Sequence, residues 1–84
     1  PGKAPSWIQG TWTYGTDYGV IKLTINDKKI TESIGDETVS GTFYYENRRL
    51  VCDFGDPNNI TIYRLDTERQ QIDAGNGMLM EKEP

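Results

Sequence analysis

The sequence predicts an all-β chain, a small up-and-down antiparallel β-barrel of about eight short strands. Three observations lead to that class. No window holds apolar residues at sustained helical spacing. Short stretches alternate apolar with polar residues, and clusters of Gly, Asn, Asp and Pro interrupt them about every eight to twelve residues. An OB-like barrel or an open β-sandwich uses the same signals and stands as the alternative. At 84 residues the chain is one domain, and a chain this short buries only roughly 60–65% of the surface it exposes when unfolded. The domain is expected over residues 6–81, with 1–5 as a linker and 82–84 as a tail.

Pro5-Ser6 can open a single helical turn, with Ser6 as its cap. The first strand follows, where Ile8, Trp12 and Tyr14 share one parity and Thr11 and Thr13 the other. Gly10 falls on the inward parity, suiting a place where another group approaches the backbone closely. Trp12 is thus the expected plug of the barrel, with Trp7 and Gly10 beside it. Gly15–Gly19 forms a loop, and Val20–Ile25 then alternates cleanly, with Ile21, Leu23 and Ile25 on one face. Asn26-Asp27 turns the chain into Lys29–Ile34, where Glu32 lies between Ile30 and Ile34 on the inward parity. Val39–Tyr45 is an aromatic-rich strand, and Arg49–Phe54 sends Leu50, Cys52 and Phe54 inward. Gly55-Asp56-Pro57-Asn58-Asn59 breaks the pattern most strongly, because Pro57 fixes its own φ and lacks a donor. Ile60–Leu65 alternates again. Gln70–Ala74 and Met78–Glu81 make a last hairpin around Gly75-Asn76-Gly77, whose residues supply the positive φ of a short loop.

Eight strands of about six residues present about 24 inward positions. With 35% hydrophobic residues, nearly every apolar side chain goes into filling the barrel, and a roomy cavity is not expected.

Composition excludes several chemistries. The net charge is −4, and the nine Lys and Arg are scattered apart from Lys28-Lys29 and Arg48-Arg49 at turns. Nucleic acid is therefore not an expected partner. No apolar run approaches the roughly 18 residues that span a bilayer as a helix. With no histidine and one cysteine, Ser-His and Cys-His pairs, thiolate metal clusters and Cys-x-x-Cys redox motifs are all absent. Cys52 reads as a small buried hydrophobe. Asp53, Asp56, Asn58 and Asn59 gather oxygen ligands, but their spacing does not match a Ca²⁺ loop. No catalytic residue, metal or cofactor is expected, and the chain reads as a monomeric, non-enzymatic module.

The binding candidates follow from chemistry and parity. Tyr14, Tyr18 and Tyr45, with Glu32 and Arg64, are the candidates for a small apolar or aromatic ligand. Glu32 either meets Arg64 or a tyrosine hydroxyl, stays protonated, or reaches water where the strand bends. Tyr44 and Tyr63 are expected on the outer face, where aromatic rings with polar tips suit a protein or glycan partner.

Gly10-Thr11-Trp12 resembles the Gly-x-Trp opening of the calycin group, which includes lipocalins. Gly41–Leu50 is similar to a hairpin of small lipocalin-like domains in exported bacterial proteins, many of them lipoproteins. The likeness covers roughly Ser6 to Glu81. It implies a closed meander with Trp12 plugging one end and any binding opening at the other. It also implies an Arg late in the barrel packed across the indole, for which Arg64 is the candidate. It further implies an extracytoplasmic location, with a lipid anchor through a removed N-terminal segment as one form of it.

Overall fold

The computed structural model describes residues 2–84. Eight antiparallel strands, in sequence order, close into one barrel: β1 (Gly10–Thr16), β2 (Gly19–Asn26), β3 (Lys29–Ile34), β4 (Glu37–Glu46), β5 (Arg49–Asp53), β6 (Thr61–Asp66), β7 (Gln71–Asp73) and β8 (Leu79–Lys82). The barrel closes where β8 pairs with β1 through Trp12↔Lys82 and Thr13↔Glu81. It is therefore neither an open sandwich nor an OB-like barrel. Lys82, expected in a tail, belongs to β8, and the Glu83 amide donates to the Thr11 carbonyl at 2.8 Å.

Every connection is short because each strand pairs with the next, so the two ends of the barrel collect different parts of the chain. One end holds the N-terminal segment, the β2–β3, β4–β5 and β6–β7 connections and the C-terminus. The other holds the β1–β2, β3–β4, β5–β6 and β7–β8 connections. At the first end Ser6–Ile8 makes a single 3-10 turn, preceded by extended Pro5; Ser6 lies inside this turn and makes no side-chain cap. Gly2 bridges to Tyr45, so residues 2–5 cross this end as a strap, and Ala4 packs on the core. Pro1, the first residue of the expected linker, lies outside the described residues.

The core runs through the barrel as one cluster. Ile8, Leu23, Ile30, Leu50, Ile72 and Met80 are wholly buried, with Trp12, Ile25, Cys52 and Tyr63 almost so. Gly41 is needed where β4 crosses close to β5, because a Cβ there would overlap the Asp53 carbonyl oxygen.

Candidate functional site

The plugged end is built around Trp12. Its indole is 2% exposed, and Nε1 donates to the Ile8 carbonyl at 2.8 Å, so the buried donor is satisfied by the 3-10 turn lying over it. Trp7 meets it edge to face, with centroids 5.9 Å apart. A cation does sit over the ring, but it is Lys82 at 5.5 Å from the centroid, and its ammonium also donates to the Trp7 carbonyl at 2.8 Å. Arg64, the expected residue, is exposed on the outside of β6. The reason is register: Lys82 is cross-strand from Trp12, whereas Arg64 pairs with Asp73 and Arg49. What approaches the Gly10 backbone is the lysine stem, whose Cε lies 3.0 Å from where a Cβ would be.

At the other end the inward positions are only partly covered. Ile34 and Val39 have inward parity on β3 and β4, yet they are 48% and 43% exposed. Glu32 has the same inward parity, two residues before Ile34, and is paired across the sheet with Leu23 on β2 and Val39 on β4. The Tyr63 hydroxyl, from β6 across the interior, donates to Glu32 Oε2. No basic side chain pairs with this carboxylate among the described residues. Burial pushes the Glu32 carboxyl above its usual range. The Cys52 thiol is pushed up to about 12, chiefly by burial and then by the Glu32 charge. Cys52 donates weakly to the Leu50 carbonyl and is inert at neutral pH.

The five residues expected around a ligand do not converge. Tyr14 and Glu32 share the open half of the barrel. Tyr18 stands 97% exposed at the β1–β2 turn, Tyr45 lies at the plugged end under Gly2, and Arg64 is outside. Tyr63 was expected outward and is instead 2% exposed, because Leu50↔Tyr63 and Cys52↔Thr61 place Tyr63 and Leu65 on the inner face. Tyr44 is outward and 51% exposed, in line with Val51 and Ile62 on the neighbouring strands. Reasoning from the sequence missed Lys82, Ile34 and Val39 as site residues. The parity of the last two was legible, but their exposure was not.

Two surface recesses lie away from the open end. One, of about 880 Å³, runs between the strap and β4 and includes Pro5, Phe43, Tyr44 and Tyr45. The other, of about 320 Å³, is polar and includes Arg48, Arg64 and Asp66. Among the described residues no group of three or more His, Cys, Asp or Glu is placed to hold a metal ion. Asp53 and Asp56 instead accept the amides of Gly55 and Asn58, as turn residues do. Among the described residues no helix is long and apolar enough to cross a membrane. Comparison with protein-family models, with curated proteins and with solved structures finds no match to this chain.

Proposed function

We propose that the chain is a non-enzymatic, lipocalin-like binding module that takes a small, partly apolar ligand against the inner wall of the open end. One observation carries this reading: Ile34 and Val39 share the inward parity of Glu32, stay about half exposed, and adjoin its half-buried carboxyl, Val39 directly across the sheet. Apolar surface of inward parity left uncovered costs solvation energy that a ligand would recover, at about 25 cal/mol per Å² covered. The support for the lipocalin-like assignment is the eight-stranded meander, with Trp12 under a 3-10 turn and a cation over the indole. Export from a bacterial cell belongs to the same proposal and rests on the resemblance of the Gly10-Thr11-Trp12 opening.

The test is a fragment screen by amide chemical shifts on the whole chain. Perturbations clustered on Glu32, Ile34 and Val39 are expected. Perturbations confined to the strap and β4, or none at all, would sink the reading.

A second reading has its own observation. Tyr44, Val51 and Ile62 form a cross-strand apolar row on the outer face, with Tyr44 and Ile62 51% and 43% exposed. Such a row suits a protein or glycan partner. If it is used, Tyr44→Ser weakens capture of that partner without altering the melting temperature.

A further inference from the structure

The open end has a one-sided charge distribution that follows from topology. Its four connections carry Asp17, Asp36 and Asp56, flanked by Asp53 and Glu37 at the adjoining strand ends, and contain no Lys or Arg. The plugged end is mixed: Lys28, Lys29, Arg48, Arg49, Arg69 and Lys82 stand there among Asp27, Glu46, Asp66, Glu68, Glu81 and Glu83. Lys22, on the outer face of β2, is directed to the C-terminal segment, 3.9 Å from Glu83. Only the open end is of one sign, and the field there attracts cations.

On the inward face of that end the Glu32 carboxyl is half-buried, held by the Tyr63 hydroxyl and directly cross-strand from Val39, while Glu37, opposite Ile34 on the same face, is exposed. Tyr63 occupies one oxygen and leaves the other as an acceptor. We infer that the ligand of the open end is a small organic ammonium, its cation against Glu32 and its apolar body along Ile34 and Val39. This inference rests on the proposed binding role of that end and names the chemical class it selects. A neutral apolar compound would use the wall but leave the acidic group unpaired, and an anion would meet repulsion from the carboxylate and the surrounding loops. Tyr63 is a positioning residue, fixing the carboxyl rather than touching the ligand. The ammonium also favours the ionised carboxylate, offsetting the effect of burial on Glu32.

The experiment is an amide chemical-shift titration of the whole chain at neutral pH with phenethylamine, 2-phenylethanol and phenylacetate. They share a ring and differ mainly in charge. Phenethylamine is expected to bind about three- to tenfold more tightly than the alcohol, as befits a partly screened ion pair, with phenylacetate weakest. Glu32→Gln, nearly isosteric, should bring amine and alcohol to equal affinity. Val39→Lys, at a half-exposed position cross-strand from Glu32, should set its own ammonium against that carboxylate and remove the preference for the amine. Equal binding of amine and alcohol, or a preference that survives both variants, overturns the inference while leaving the binding role intact. If none of the three perturbs Glu32, Ile34 or Val39, the inference falls, and a failed fragment screen at the same residues would then remove the binding role as well.

Discussion

The two ends of the barrel use the same strands and the same alternation, but only one of them is finished. At the plugged end the 3-10 turn lies across the opening, the Trp12 indole is buried, its N–H is paired, and Lys82 covers the ring. At the open end Ile34 and Val39 have the same inward parity and remain about half exposed, and a carboxyl occupies an interior position. Alternation decides where a side chain points. Burial also requires something to lie over it, and the chain supplies such a cover at one end through its N-terminal segment. The finished end carries stability, and the unfinished one is free to carry function, at a cost the other end must offset.

The comparison is broken most directly by truncating one large apolar side chain at each end. Trp12→Ala removes a buried indole and its hydrogen bond and should cost about 3–5 kcal/mol. A domain this small has a total stability of about 5 kcal/mol, so the variant should be largely unfolded by circular dichroism. Ile34→Ala, at a position 48% exposed, should cost less than about 1 kcal/mol in a urea titration. Similar losses at the two sites would mean that the ends are equally packed.

A smaller effect separates the two candidate cations. Lys82→Met keeps the aliphatic stem beside Gly10 but removes the ammonium from above Trp12 and leaves the Trp7 carbonyl without its donor. The expected loss is about 1 kcal/mol, seen as a lower urea midpoint at unchanged slope. Arg64→Met, on the outer face, should stay within about 0.5 kcal/mol of the parent. A larger loss at Arg64 would reverse the assignment.

These residues also show how much was legible beforehand. The barrel could be read because Val20–Ile25 alternates cleanly and turn residues bound Lys29–Ile34, whose β3 matches its expected bounds. β6 misled because both of its faces are apolar: Ile60 and Ile62 compete with Tyr63 and Leu65, and only the pairing with β5 decides which face turns in. Once inside, the Tyr63 ring places its hydroxyl on Glu32. Lys82 was invisible as the partner of Trp12 because that contact exists only once the last strand returns to the first, a relation no local pattern encodes. The inward direction of Glu32 was legible, and so was a tyrosine hydroxyl as one of its alternatives. That Tyr63 supplies it was not.

The subtlest test concerns what the open end gives up by keeping a carboxyl inside. Burial raises the folded-state pKa of Glu32 above its ordinary value of 4.5. The folded protein thus binds this proton more tightly than the unfolded chain does. The stabilising contribution is complete below the unfolded value and is lost as pH rises through the raised folded value, so at neutral pH ionised Glu32 works against folding. Glu32→Gln never ionises and keeps an acceptor for the Tyr63 hydroxyl. Its melting temperature should exceed that of the parent at pH 7, by an amount worth less than about 1 kcal/mol because the group is partly screened by solvent. The difference should shrink as pH falls toward 4, where the parent carboxyl is itself neutral. A variant less stable than the parent at neutral pH would show that the fold favours the charge, through the Tyr63 hydrogen bond, over the penalty of burial. A variant that is more stable and also blind to ammonium ligands would show the same carboxylate opposing folding and conferring selectivity.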